Sequence, residues 1–144
     1  SIRDVSGIRH TPDGIVVNTG VPHLVVFTDD NSATDMVSFG RALRWSPVYA
    51  PEGVNVNLVS INDGRIRVRT YERGVEDETL ACGTGITASA IAAVYTGKIV
   101  TPATEVEARG GMLSVRFNLT GERATDIYLT GPATFVFSGE KEIN

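Results

Sequence analysis

The chain has 144 residues, with 13 Lys and Arg against 17 Asp and Glu, a formal net charge of −4 and one cysteine. That length suits one ordinary domain with a real core, and the mild negative charge gives no reason to expect nucleic acid or an anionic membrane as a partner. A single cysteine excludes an internal disulfide and leaves too little sulfur for a structural zinc site; it points to a reducing compartment, so the cytoplasm is the expected location, and no leader or membrane-spanning pattern is read.

In chain order, a D-G turn ending at Gly14 leads into Ile15, Val16 and Val17, and after Gly20 a second apolar run covers Leu24 to Phe27; both read as strands. The corner between them is N-T-G-V-P-H. His23 at its end is either a structural hydrogen-bonder or, because imidazole titrates near neutral pH, a general acid/base. Thr34 or Asp35 can cap a short helix running to about Arg44, with Trp45 and Tyr49 around Pro47 closing it against the body. P-E-G at 51–53 turns the chain into a strand from Val54 to Ile61, where Val54, Val56 and Leu58 face one way and Asn55 and Asn57 the other. Those asparagines face either water at an edge or a ligand, and periodicity does not separate the two. N-D-G at 62–64 is a hairpin signal, followed by a strand from Arg65 to Tyr71 that alternates basic and apolar residues and delivers Glu72 and Arg73 to a polar loop. Val100, then Thr104 to Ala108, Leu113 to Leu119, Asp126 to Thr130 and Ala133 to Phe137, read as further strands separated by glycine-containing turns.

The run from Glu72 to Gly97, E-R-G-V-E-D-E-T-L-A-C-G-T-G-I-T-A-S-A-I-A-A-V-Y-T-G, organises the rest. From Gly83 to Tyr95 it is small and apolar all round the helical wheel, which predicts a helix buried on every side. At about 1.5 Å per residue the helix is roughly 20 Å long, far short of a membrane span, so strands of the same protein are expected to wrap it. Gly97 suits its C-terminal cap. At the other end, the N–H groups of Gly83, Thr84, Gly85 and Ile86 have no preceding helical carbonyl, and the macrodipole favours an anion there. Cys82 sits in the same field, which favours thiolate; the alternative is a buried apolar filler.

Taken together, E-R-G, a short acidic spacer, E-T and A-C-G-T-G resemble the signature in the second half of diaminopimelate epimerases. G-V-P-H, P-E-G-V-N-V and the ending G-P-A-T-F-V-F-S-G-E extend the likeness over nearly the whole chain. The resemblance implies an α+β fold, mostly antiparallel strands wrapped around a buried central helix, forming one of two similar halves with the active site between them. The chain opens on Ser1 rather than Met, and the N-terminal half, with a second cysteine, is expected to be absent.

The chemistry implied is epimerisation of LL-diaminopimelate to meso-diaminopimelate with no metal and no cofactor. One cysteine removes the α-proton and the other delivers a proton to the opposite face. By the same resemblance Cys82 is one of the pair, Gly83 and Thr84 bind the α-carboxylate, and Glu72 accepts from the α-ammonium. Asn55 and Arg73 reach the distal end, and His23 and Glu72 tune the thiol. The partners implied are a small amino-acid substrate and the missing half, with self-association through exposed apolar cleft surface left open. Two departures stand out: Val21 replaces the family's asparagine in G-N-P-H, and the spacer V-E-D-E-T is one residue longer than usual. Val21 leaves room for another racemase or isomerase of the superfamily; a non-catalytic carboxylate-binding domain is a further alternative, and a Cys-nucleophile hydrolase is disfavoured because the sequence places no His beside the thiol. This chain alone is expected to be inactive.

Overall fold

The computed structural model of the protein describes residues 4–80, 83–101 and 103–131. Strands β1 (Val5–Ser6), β2 (Arg9–His10), β3 (Ile15–Asn18) and β4 (Pro22–Phe27) precede helix α1 (Met36–Arg44) and a 3-10 turn at Pro47–Tyr49. Then come β5 (Asn55–Asn62), β6 (Arg65–Glu72), β7 (Asp77–Thr79), helix α2 (Gly83–Tyr95), β8 (Ala103–Ala108), β9 (Gly111–Thr120) and β10 (Arg123–Thr130). No helix among the described residues is long and apolar enough to cross a membrane. The expected strand from Ala133 to Phe137 lies outside the described residues.

The ten strands of the described residues join one sheet in the order β1-β10-β9-β8-β6-β5-β4-β3-β2, with β7 paired to β6. The sheet curls until β1, at one end, touches β3 near the other. The expectation of mostly antiparallel strands around one central helix is corrected to a curled mixed sheet with two helices. The parallel pairs are β4 with β5 and β6 with β8. Each falls where a helix intervenes, because two parallel neighbours cannot be joined by a tight turn and need a crossover. The first crossover carries α1, the second β7 and α2.

Each helix covers a different face. Along α2, ten residues are buried, and its contacts run to β3, β4, β5, β6, β8, β9 and β10. Ile86 and Ile91 pack with Val17, Val25, Val59, Leu113, Phe117 and Ile127 inside the curl. On the outer face, α1 buries Met36 and Gly40 against Leu58 and Tyr71. Any Cβ at Gly40 would overlap the Tyr71 ring, so only glycine lets the helix sit this close. β5 is therefore covered on both sides: Val56 and Leu58 face α1, while Asn57 meets Gly85 of α2.

Local signals work as expected at several ends. Asp35 caps α1, its side chain accepting from the Ser38 N–H at 3.3 Å. Asp63 and Gly64 have φ of 54° and 75°, the left-handed pair that a two-residue hairpin turn requires. Gly97, with φ of 78°, ends α2 in a Schellman arrangement: Lys98 N–H donates to Ala93 O at 2.9 Å and Gly97 N–H to Val94 O at 3.0 Å.

Other expectations differ. Val100 is not in a strand and is 89% exposed, because the turn after Gly97 directs Ile99 inward instead. Tyr49 does close against the body, its hydroxyl donating to Asp13 at 2.6 Å, but Trp45 stays outside with the Arg44 guanidinium stacked on its ring. β7 falls where the sequence predicts loop. Its three polar residues pair with β6, and Arg69 of β6 ties them there by forking onto the Glu78 carboxylate with two 2.8 Å hydrogen bonds.

Candidate active site at the first turn of α2

Two segments distant in sequence meet at the start of α2. Thr19, in the corner between β3 and β4, donates from its hydroxyl to Thr84 O at 3.1 Å. His23, at the start of β4, places Nε2 3.0 Å from Thr84 Oγ1. The first turn of the helix is thus held against the G-V-P-H corner from both its backbone and its side chain. Neither contact is visible as a local pattern, since 61 residues separate His23 from Thr84.

Behind the histidine stands a buried amide. Asn57 Nδ2 lies 2.9 Å from His23 Nδ1 and 3.3 Å from Leu24 O, while the Thr70 hydroxyl lies 2.8 Å from Asn57 Oδ1. A Cβ at Gly85 would come within 2.8 Å of Asn57 Oδ1 and 3.0 Å of His23 Cε1, so the second glycine of G-T-G is what allows helix and network to touch. His23 and Asn57 are completely inaccessible and Thr70 is 3% exposed.

Burial pushes the His23 pKa down to about 3, with the nearby Arg73 cation acting in the same direction. The ring is therefore neutral at physiological pH and titrates well below the neutral range. Stability should carry this signature. With a folded pKa near 3 against 6.5 unfolded, the unfolded chain takes up the proton first as pH falls. The His23 contribution is then complete above pH 6.5 and is lost on acidification, with a slope of at most about 1.4 kcal/mol per pH unit. Asp30, Asp35 and Glu76 have lowered pKa values and lose their contributions only below their unfolded range, 3.8 to 4.5. Urea unfolding of the protein and its His23→Gln variant between pH 4.5 and 6.5 isolates the histidine: the slope should flatten in the variant.

Asn55 and Arg73 form a second small unit beside the first. Asn55 Nδ2 donates to Pro22 O at 3.2 Å, and its Oδ1 accepts from the Arg73 N–H at 2.8 Å. Arg73 Nη1 donates to Glu52 O at 3.2 Å. Asn55 therefore braces the corner that carries His23 against the strand end that carries Arg73. Glu72 is half-buried at the end of β6, opposite Asp77 of β7, and its carbonyl accepts from the Glu76 N–H at 2.8 Å. Its carboxylate makes no hydrogen bond with another described residue. Val21 is half-buried at the corner, presenting an apolar side chain.

Gly83 and Thr84 begin the helix, as expected. Cys82 lies outside the described residues, so its expected role is neither placed nor displaced. Among the described residues no three His, Cys, Asp or Glu side chains converge in a way that could hold a metal ion. Sequence reasoning missed Thr19, Thr70 and the contact made by Asn57. An asparagine on an otherwise apolar strand was the one available signal, and it marked Asn55 and Asn57 equally. What the assembled geometry can do is offer the N–H groups of a helix N-terminus, pinned by a neutral histidine, to an anionic group.

Residues 15–136 match the sequence model of the family described as diaminopimelate epimerase. A diaminopimelate epimerase of Flavobacterium psychrophilum is 42% identical over 137 residues, covering 94% of this chain and 54% of the relative. That of Methanocella arvoryzae is 43% identical over 136 residues, covering 94% and 46%. The chain thus spans about half the length of the curated relatives it matches. Among solved structures, a phenazine biosynthesis protein of the PhzF family from Bacillus anthracis shares the fold, with a TM-score of 0.55 at 17% identity, over 90% of this chain and 40% of that one. On the family match and the identity to these relatives, the chain belongs to the diaminopimelate epimerase family.

Proposed function

We propose that this chain supplies one half of the active site of a diaminopimelate epimerase, and that the complementary N-terminal half supplies the other. The observation that carries the reading is the first turn of α2. It directly follows the A-C-G-T-G signature cysteine, and His23, Thr19 and Asn57 hold it in place. In this reading the N–H groups of Gly83 and Thr84 take the α-carboxylate and stabilise the charge that builds on it as the α-proton leaves. Glu72 accepts from the α-ammonium, and the Asn55–Arg73 unit faces the distal end.

The reaction needs only proton transfers. The Cα–H bond breaks as a thiolate on one face takes the proton; a thiol on the other face gives its proton to Cα, and the centre is inverted with no net change in composition. Cys82 is one of the two sulfurs. The test is solvent-deuterium incorporation at the α-carbon of LL-diaminopimelate by the complete two-half protein, with no cofactor added. Exchange with formation of the meso isomer is expected. An intact, folded protein that exchanges nothing would discard this substrate.

Val21 favours one second reading. Its apolar side chain stands at the half-buried corner where the family motif carries an amide, so a superfamily racemase acting on a different amino acid is the alternative. Exchange on other amino acids, absent with diaminopimelate, would select it.

A further inference from the structure

Hydrogen-bond chemistry sets the direction of the contacts that Asn57 makes. The Leu24 carbonyl, 3.3 Å from the Asn57 amide, only accepts, so the atom facing it is the amide nitrogen. That nitrogen is also 2.9 Å from His23 Nδ1, and the Thr70 hydroxyl donates to the carbonyl end at 2.8 Å. An amide nitrogen only donates, so Nδ1 of the imidazole is the acceptor and carries no proton. A neutral ring then has its proton on Nε2, which donates to Thr84 Oγ1 at 3.0 Å. Turning the amide over would set two oxygens against each other at Leu24 and leave Thr70 facing an N–H. Every donor in the chain from Thr70 through Asn57 and His23 to Thr84 therefore points the same way, from β6 across β5 and β4 to the first turn of α2. Aligned bonds of this kind reinforce one another in a buried site.

We propose that Asn57 is a positioning residue that selects the Nε2–H tautomer of His23 and, through it, fixes the Thr84 hydroxyl and the first turn of α2. Its consequence for turnover rests on the proposed function, in which the Thr84 N–H holds the substrate carboxylate. The tautomer itself does not.

The test uses the complete two-half protein and an Asn57→Asp variant. A carboxylate of the same shape still accepts from Thr70, but it can only accept from the ring. Nitrogen NMR of His23 should show the proton on Nε2 in the parent, and a proton on Nδ1 in the variant. kcat/KM should fall on the order of tenfold or more as the helix turn loses its orienting bond, which a purely structural asparagine would not couple to the proton position. If N57D does not fold, Thr70→Val releases the amide without adding charge, and is expected to give mixed tautomers with a smaller loss. A parent His23 protonated on Nδ1 would overturn the proposal, as would a relocated proton in N57D with kcat/KM unchanged, or a T70V variant unaltered in both spectrum and rate. A parent that turns over no diaminopimelate would remove the proposed function while leaving the tautomer measurement decisive.

Discussion

Replacing Cys82 with alanine in the complete two-half protein is expected to lower kcat/KM for diaminopimelate epimerisation by on the order of 10²–10⁴-fold, the usual weight of a positioned acid/base group. Solvent deuterium should no longer enter at the α-carbon from the Cys82 side. In the proposed function the reason is the cysteine's place in the sequence, immediately before Gly83 where α2 begins, since the positive macrodipole end of a helix favours thiolate over thiol. His23, which meets that turn, is a poor substitute, since burial lowers its pKa to about 3 and its Nε2 lies 3.0 Å from Thr84 Oγ1, and the Thr84 hydroxyl is a poor base as well. A carboxylate-binding domain without catalysis makes the opposite prediction, since losing Cys82 would then alter ligand affinity and no rate. Unchanged exchange in a folded C82A protein would sink the two-cysteine account.

The largest effect on stability should come from Ile91→Ala, at the centre of α2. Ile91 has no exposed surface, and its helical neighbours Ala88, Ala90, Ala92 and Ala93 are equally buried. Alanines let the surrounding strands approach closely, but they have no side-chain rotamers with which to refill a void. The cavity left by the isoleucine should therefore persist, and the cost is expected in the upper part of the roughly 2–5 kcal/mol range for such truncations. Against a total stability of about 5–15 kcal/mol that is a large fraction, read as a lower urea midpoint at unchanged m value. A loss below about 1 kcal/mol would mean that the curl of the sheet collapses onto the helix more readily than its packing implies.

The elements that were legible in the sequence are those with a strong local signature. α2 announced itself because a charge-free helix with apolar residues on every side has only one stable place, inside the protein. β5 and β6 were legible from alternation and the N-D-G turn, and Gly97 from its place at the end of the helical run. β7 was not, because three polar residues carry no period, and the Arg69–Glu78 pair that ties it to β6 is a tertiary contact. Arg69 itself reads no differently from Arg65 and Arg67 on the same strand, yet it alone also donates to the carbonyls of Asn31 and Thr34, at 2.7 and 2.8 Å. The site divides in the same way. Gly83, Thr84 and His23 stand out from motif and flanks, whereas Thr19 and Thr70 are ordinary threonines until the fold brings them to Thr84 and Asn57.

By itself the sequence determined that a helix free of charge must be enclosed, that its glycine-rich start offers N–H groups to an anion, and that the chain carries the diaminopimelate epimerase signature. The first two follow from local composition, which acts through backbone geometry and burial wherever the segment ends up; the third is a resemblance of motifs. Only the tertiary structure decided that the sheet is mixed, that α1 covers its outer face, and that His23 is neutral. It also decided that Asn57, rather than Asn55, touches the imidazole. Those outcomes depend on which distant segments meet, and a buried histidine has its proton set by partners 34 and 61 residues away.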